Sequence, residues 1–522
     1  MSNSVFDAEH LLFTPASPDR DAIPTIFAFP NEYTVGITSL GYQVVWATLA
    51  MRSDLEVSRL FTDVHESLPR SPELVGFSLS WELDYVNILN LLEFLEVPIR
   101  SAVRGNNNPL IFGGGPVLSA NPEPFADFFD VILVGDGEDL LGNFINAYQE
   151  VRTADRVTKL HRLAQVPGIY IPSLYQVEYQ GDSIASINPI ASTIPETITK
   201  QTYRGNTLSV SSVVTEKAAW ENIFMVEVVR SCPEMCRFCL ASYLTLPFRV
   251  ADVEESLIPA IDAGLEVTDR LGLLGASVTQ HPEFPALLSH LSKPKYDDIR
   301  LSVSSVRTNT VTVQLAETLA RRGSKSITIA VESGSERVRN IVNKKLETEE
   351  IFQAAINAKA GGLKGLKLYG MAGIPGEELA DLDRTVAMLK SIKKAAPGLR
   401  LTFGCSTFVP KSHTPFQWFG VNKEAEKRLQ LLQKRLTPHG IDFRPESYNW
   451  SVIQSLISRG DRRVSYLLEL TRSYGDSIGS YRRAFKELRG QIAPMAFYVH
   501  QTWDVNQILP WQHIHGPLSQ AT

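Results

Sequence analysis

The first 151 residues alternate short apolar runs with longer stretches in which apolar residues recur every three or four positions. The short runs predict strands over residues 25–29, 57–61, 74–79, 110–112 and 131–134, and the longer stretches predict helices over 40–51, 85–94 and 138–151. Glycine clusters at 113–115 and 135–137 mark turns. This alternation predicts a doubly wound, flavodoxin-like parallel sheet, whose ligands lie beyond the carboxyl ends of the strands, where both glycine clusters fall.

The pattern changes twice further along the chain. Residues 152–224 hold strand-like runs separated by Pro, Ser, Thr and Asn, and predict a strand-rich linking segment without a long helix. The strand–helix alternation then resumes over 225–420, with strands predicted at 225–229, 271–274, 300–304, 326–331, 366–371 and 401–405. Six such units predict an α/β region in the form of a partial TIM-like barrel. Residues 421–522 predict a mostly helical C-terminal region.

Composition and charge exclude some classes of protein but do not identify the function. Apolar residues make up 44% and charged residues 21% of the 522, as in ordinary globular proteins. A net charge of −6 provides no global basic field for nucleic acid. The basic residues near 423–435 alternate with glutamates and predict a solvated face, with a local nucleic-acid groove as the open alternative. No apolar run nears the roughly 18 residues that span a bilayer, so we expect a cytoplasmic protein with no membrane partner.

Three of the four cysteines, Cys232, Cys236 and Cys239, fall within eight positions directly after the first predicted barrel strand. Thiolates so spaced suit either zinc or an iron–sulfur cluster. Structural zinc needs a fourth ligand, for which His281 and Cys405 are the candidates. A four-iron cluster on three thiolates leaves one iron free for a substrate or cofactor, and the Cys-x3-Cys-x2-Cys spacing favours it. We expect Cys405 to be a buried strand residue.

Residues 227–239, EVVRSCPEMCRFC, resemble the signature of the radical S-adenosylmethionine superfamily. The resemblance implies a 4Fe-4S cluster on the three cysteines and S-adenosylmethionine bound to the open iron. It also implies that one electron from the reduced cluster cleaves the cofactor to a 5′-deoxyadenosyl radical. A flavodoxin or ferredoxin type of protein is the expected electron donor. In this chemistry the cofactors carry the reaction and the protein orients them.

The resemblance extends to residues 274–277, 302–307, 330–337 and 371–377, which are similar to the segments that follow the family's later strands. It implies S-adenosylmethionine contacts at Phe238, Gly275, Ala276, Ser304, Arg307, Glu332, Gly373 and Gly376. Phe238 is expected near the adenine, Arg307 at the methionine carboxylate and Glu332 at the methionine or ribose end. The family's acidic residue after Gly275 is absent. Each of these assignments has an alternative. Phe238 would instead pack in the core, and Arg307 would form a surface salt bridge. Gly373 and Gly376 would only form a strand-to-helix turn.

The N-terminal region and residues 408–418 resemble a branch that carries an N-terminal cobalamin-binding-like domain. The nearest match to the cobalt-ligating motif Asp-x-His-x-x-Gly has Leu68 in place of the glycine, and a side chain there obstructs close approach of the cofactor. We therefore expect His65 not to be a cobalt ligand. Related enzymes also bind cobalamin without a histidine, so cobalamin stays an open alternative.

These patterns leave three functions in order of preference. The first is a radical S-adenosylmethionine enzyme, with methyl transfer as its reaction if cobalamin is bound. The second is a radical enzyme that modifies RNA or a small molecule without methylation. The third is a non-catalytic iron–sulfur or zinc protein. The sequence indicates neither the substrate nor a further catalytic residue.

Overall fold

The computed structural model describes residues 4–518. Its N-terminal sheet has six strands in the spatial order Leu55–Leu60, Ile23–Ala28, Leu74–Ser78, Leu110–Gly114, Val131–Leu133 and Ile169–Tyr170. The first five strands are parallel, and their 2-1-3-4-5 order is the flavodoxin-like order. The flanking helices are Tyr33–Gly36, Leu40–Ala50, Tyr85–Phe94, Pro116–Ala120, Gly137–Glu150 and Arg156–Leu163. The doubly wound fold predicted for this region is confirmed.

The N-terminal sheet continues past residue 151, where the sequence predicted a linking segment to begin. Its sixth strand, Ile169–Tyr170, pairs antiparallel with Val131–Leu133. The helix Arg156–Leu163 was not predicted, because it is short and buries only Leu160 and Leu163. The rest of the segment is rich in strands, as predicted, with the hairpin Tyr175–Gln180 and Ser183–Pro189 and the short strands Ile198–Thr199 and Val213–Thr215.

The central region is an arc of parallel strands in chain order. The first of its two sheets contains Ile223–Arg230, Arg270–Gly275 and Arg300–Val303. The second contains Ser326–Glu332, Gly365–Ala372, Arg400–Thr407 and Asp442–Pro445. A single bridge from Val306 to Ile329 connects the two sheets. Helices on the convex side are Ile258–Gly264, Phe284–Leu291, Val313–Arg321, Thr348–Ala360, Leu379–Ala395 and Ala425–Leu436. The short helix Glu336–Ile341 lies at the mouth of the arc, where the Ile341 carbonyl accepts a hydrogen bond from Arg237. The six predicted strands are present, and Asp442–Pro445 extends the arc beyond residue 420.

The C-terminal helices pack on the N-terminal domain. Tyr448–Ser458, Val464–Ser473, Ile478–Glu487 and Met495–Val499 contribute to the same hydrophobic core as the N-terminal sheet. The carboxylate of the fully buried Glu123 accepts hydrogen bonds from Arg462 Nε at 3.0 Å and from the Tyr170 hydroxyl at 2.5 Å. Burial alone would raise the pKa of Glu123, but the Arg462 guanidinium lowers it below the ordinary value. This buried pair therefore connects the two regions.

Within residues 4–518, no helix has both the length and the apolar character that crossing a membrane requires.

Replacing Arg462 by alanine should destabilise the protein by about 3–5 kcal/mol, because Glu123 would remain buried without its counter-charge. Urea denaturation followed by circular dichroism measures the change. Arg482→Ala is the control, since Arg482 is exposed on a helix of the same region and should change stability by less than about 0.5 kcal/mol. Equal denaturation midpoints for the two variants would contradict the role given to the buried pair.

Candidate active site at the mouth of the arc

The three clustered cysteines lie on a loop between the strand Ile223–Arg230 and the helix Leu240–Leu244. Two non-glycine residues of this loop, Ser231 and Met235, have positive φ angles of 73° and 53°. Such angles are uncommon for residues with a side chain and persist only where the surroundings hold them. Strained backbone at the carboxyl end of a barrel strand is typical of a functional loop.

The loop is held by a segment that follows the fourth strand of the arc. Arg237 donates from its backbone to the Val342 carbonyl at 3.0 Å and from Nη1 to the Ile341 carbonyl at 2.7 Å. Asn343 Nδ2 donates to the Met235 carbonyl at 2.9 Å. These contacts join residues about a hundred positions apart. We call residues 340–345 the clamp segment, because it fixes the cysteine loop from across the mouth of the arc.

All three thiols line one cavity of about 520 Å³, a volume typical of small-molecule sites. Cys236 is 6% exposed, and burial raises the pKa of its thiol to about 12, an effect that Lys344 partly opposes. Burial also raises the pKa of Cys239. Iron binding must therefore displace protons from these sulfurs. Three thiols around one cavity suit a cluster, which would be ligated by Cys232, Cys236 and Cys239.

Two buried ion pairs form the charged wall of this cavity. Lys344 Nζ lies 2.7 Å from Glu332 Oε1, and Arg307 Nη2 lies 3.3 Å from Glu234 Oε2, with every side chain at most 15% exposed. Burial alone would lower the pKa of the Lys344 ammonium. The attraction of the neighbouring Glu332 carboxylate exceeds this effect, so the pKa of Lys344 is raised above its usual value. A ligand with both an ammonium and a carboxylate group, as in the methionine moiety, matches such a wall.

Arg307 is buried, so the surface salt bridge considered for it is wrong. Its Nη2 donates to the carbonyls of Lys344 and Lys345 at 2.7 and 2.6 Å, and its Nε has no hydrogen-bond partner within residues 4–518. Arg307 thus supports the clamp segment and retains donor capacity beside the cavity. Its contact with a methionine carboxylate stays a prediction.

The structure brings most of the predicted cofactor contacts to the same cavity. Phe238, Ala276, Ser304 and Glu332 line it together with the thiols and Arg307. The Ser304 hydroxyl donates to the Gly275 carbonyl at 3.3 Å. Phe238 also packs against a small hydrophobic cluster at the mouth. Residues that the sequence did not single out line it too, among them Glu234, Ser277, Thr328, Lys344 and Tyr369. Of these, Glu234 and Ser277 had a sequence signal, because Glu234 lies inside the cysteine triplet and Ser277 in the family-like segment 274–277.

Gly373 and Gly376 are not in the cavity wall. Both have left-handed φ angles, 77° and 80°. A Cβ at Gly373 would lie 2.8 Å from the Ala425 side chain, and its N–H donates to Glu377 at 2.7 Å. The strand-to-helix turn therefore explains Gly373, and the adenosine contact of the two glycines stays a prediction.

The remaining candidate ligands have other partners. Cys405 is 1% exposed on the strand Arg400–Thr407, as predicted. His281 uses both ring nitrogens, with Nε2 at 2.8 Å from the Ala251 carbonyl and Nδ1 accepting from Glu283 N–H. His65 is exposed and lies against Phe94. In the described part of the chain, no three His, Cys, Asp or Glu side chains converge as single-metal ligands.

A second cavity, of about 310 Å³, lies between the N-terminal domain and the arc. Gly115, Gly135 and Gly137 of the predicted glycine turns line it, opposite Arg230 and Leu244 beside the cysteine loop. We call it the interdomain cavity. Ion pairs between Asp136 and Arg249 at 2.6 Å and between Glu138 and Arg230 at 2.7 Å hold its two sides together.

Comparison with known proteins agrees with this geometry. The profile of the radical SAM superfamily matches residues 226–389, and that of the N-terminal region of radical SAM proteins matches residues 41–172. An uncharacterised protein of Methanocaldococcus jannaschii is 27% identical over 461 residues, which cover 87% of this chain and 93% of that protein. A tRNA-2-methylthio-N(6)-dimethylallyladenosine synthase of Wolbachia is 25% identical over 182 residues, or 33% of this chain and 41% of its own length.

Two solved structures of the radical S-adenosylmethionine methyltransferase TsrM from Kitasatospora setae share the fold. The form with cobalamin and a [4Fe-4S] cluster has a TM-score of 0.54 at 12% identity and covers 89% of this chain and 100% of that one. The form with tryptophan and a SAM analogue has a TM-score of 0.50 at 13% identity and covers 76% and 75%.

The chain belongs to the radical S-adenosylmethionine superfamily. It is an enzyme of that class, with the 4Fe-4S cluster and S-adenosylmethionine as its cofactors. Over 89% of its length the chain also shares the fold of cobalamin-bound TsrM.

Replacing Cys236 by alanine should remove most of the bound iron after anaerobic reconstitution, because only two thiolates would remain for the cluster. Iron and sulfide content, together with absorbance near the visible charge-transfer band, measures the loss. Cys405→Ala is the matched control, since Cys405 is buried away from the loop and should keep the wild-type iron content. Full iron in Cys236→Ala, or its loss in Cys405→Ala, would contradict the ligand assignment.

Proposed function

We propose that this enzyme uses its cluster and S-adenosylmethionine to remove a hydrogen atom from an unactivated substrate position and that a methyl group replaces it. The observation that supports this is the placement of the interdomain cavity beside the cysteine loop, through Arg230, Leu244 and Thr245. A cavity between a flavodoxin-like domain and the mouth of the arc allows two cofactors to act on one substrate. The fold shared with TsrM is in accord with this proposal.

Two glycines in the wall of the interdomain cavity leave space beside them for a ligand. A Cβ at Gly41 would meet nothing within 4 Å, and one at Gly137 would first meet Val45 at 3.7 Å, so these walls are open. Cobalamin bound there would supply the methyl group. Entry of a corrinoid requires this cavity to widen, since its volume is near the lower limit for small-molecule sites, roughly 300 Å³.

This chain's own residues orient the substrate-activating cofactor. In the proposal the three cysteines hold the cluster, and Arg307 and Glu332 bind the carboxylate and ammonium of the methionine moiety, respectively. Phe238 and the buried walls exclude water from the radical, which prevents its side reactions. We also propose a cytoplasmic location and a flavodoxin or ferredoxin as the donor.

A non-methylating modification is the second candidate function. The partial similarity to a tRNA-modifying synthase over 182 residues supports it. Such a modification requires only the cavity that the three thiols line, which we call the cluster cavity. Methyl transfer requires the interdomain cavity as well, so the two candidate functions differ in their need for the interdomain cavity.

The reduced, reconstituted enzyme should convert S-adenosylmethionine to 5′-deoxyadenosine, because three thiolates leave one iron open to the cofactor. Incubation with dithionite under anaerobic conditions, followed by liquid chromatography, measures the product. Stoichiometric zinc without iron, or an intact cluster that yields no 5′-deoxyadenosine, would favour a non-catalytic binding protein instead.

Gly41→Leu should weaken retention of hydroxocobalamin on gel filtration at least tenfold while cluster content stays unchanged, because its side chain would project into the interdomain cavity. Gly142→Leu is the matched control: it lies on another helix of the same domain, also has open space at Cβ, and should retain cobalamin. If both variants failed to retain hydroxocobalamin, or if both retained it, the result would contradict cobalamin binding at this cavity.

A further inference from the structure

The concave face of the arc is an accessible groove. TIM barrels fill this space with layers of bulky branched side chains. Here the inward positions of two neighbouring strands include the small or polar residues Gly272, Ser302 and Ser304 beside the bulky Leu274. The outward-facing Leu271, Leu273 and Leu301 are at most 1% exposed and pack under the helices. The groove is therefore solvated on one side of a well-packed sheet.

The groove is continuous with the cluster cavity. A cavity of about 530 Å³ follows the strands Arg270–Gly275 and Arg300–Val303 and shares Val303 and Ser304 with the cavity that the thiols line. Ser304 and Arg300 are four residues apart, about 13 Å at roughly 3.3 Å per residue of parallel strand. A molecule in this groove can thus extend from the radical site to the amino ends of the strands.

Cationic side chains surround the far end of the groove. Arg270 and Arg300 are the first residues of their strands and lie opposite each other in register. Within residues 4–518, Arg300 is exposed and its side chain has no hydrogen bond or ion pair, whereas Arg270 Nη1 donates to the Glu221 carbonyl at 2.9 Å. Among the described residues that line this cavity, Glu221 is the only acidic one, and its carboxylate is 3.7 Å from Arg270.

A third arginine in the wall of this groove, Arg322, is held in place by contacts within the protein. Arg322 is 4% exposed, with Nη1 at 2.7 Å from Asp297 Oδ1 and Nη2 donating to the Leu291 carbonyl at 3.0 Å. Its Nε is buried and has no partner within the described residues. Buried donors without a partner are rare, and this one belongs to an arginine of the cavity wall whose two other nitrogens are bonded within the protein.

We propose that this end of the groove binds an anionic group of the substrate, a phosphate or a carboxylate, between Arg270 and Arg300. This inference rests on the proposed function, because the anchored substrate would present its reacting carbon near Ser304. The guanidinium fork binds both anions through paired hydrogen bonds. Anchoring one end of a substrate fixes which carbon lies at the radical site, so the two arginines would determine specificity.

The test uses the cluster-loaded enzyme with inorganic phosphate and glutarate as probes in separate isothermal titrations. We expect at least one probe to bind the wild type and to bind Arg300→Gln at least about tenfold more weakly, because a charge-assisted pair is lost. Since the Arg300 side chain has no partner among residues 4–518, its replacement should not unfold the chain. Arg321→Gln is the matched control, since Arg321 is exposed at the end of a helix next to Arg322 and should bind the probe as the wild type does.

The two probes distinguish a phosphate from a carboxylate group. Equal affinity in the wild type and Arg300→Gln, or no binding of either probe, would overturn the proposal. Formation of 5′-deoxyadenosine by the wild type is measured in parallel. Product without anion binding would reject the anion site alone, whereas Arg300-dependent binding without product would support the site and reject the proposed reaction.

Discussion

The active-site architecture depends on one constraint, the clamp between the cysteine loop and residues 340–345. The loop has two side-chain-bearing residues in left-handed backbone, and the clamp segment adds Asn343 and Lys345 with φ angles of 56° and 49°. Each such residue costs roughly 1–3 kcal/mol, and their mutual hydrogen bonds offset part of this cost. Because Lys344 extends from the clamp to Glu332, the same contacts that shape the cysteine loop also place the charges around the cofactor cavity.

The rest of the protein encloses this mouth. The N-terminal sheet faces it with its glycine turns, and ion pairs from Arg230 and Arg249 fix the distance between the two domains. The C-terminal helices do not form a separate body, since they complete the core of the N-terminal domain through contacts such as Arg462 with Glu123. The chain therefore places one cavity on each side of the cysteine loop. This arrangement suits a reaction in which a second cofactor and a substrate approach the radical from different directions.

The sequence predicted those features that depend on local pattern. The barrel strands were predicted to within about two residues, because buried strands appear in the sequence as continuous apolar runs. The spacing of the three cysteines likewise indicated that they lie together, and they line one cavity. The clamp was missed because it joins residues about a hundred positions apart and only tertiary structure brings them together. Arg307 lies in the wall of the cavity that the thiols line, but its burial and its carbonyl partners were not predicted. Gly373 has the conformation expected of its motif, yet it packs against Ala425, which pattern alone does not reveal.

The central claim is that three thiolates hold a four-iron cluster with one iron open to S-adenosylmethionine. Electron paramagnetic resonance of the anaerobically reconstituted and reduced protein tests it most directly. We expect the signal of a reduced 4Fe-4S cluster, with g values that shift when S-adenosylmethionine is added, because the cofactor then ligates the open iron. A cluster signal unchanged by saturating S-adenosylmethionine, or a reconstituted protein without any such signal, would contradict the account.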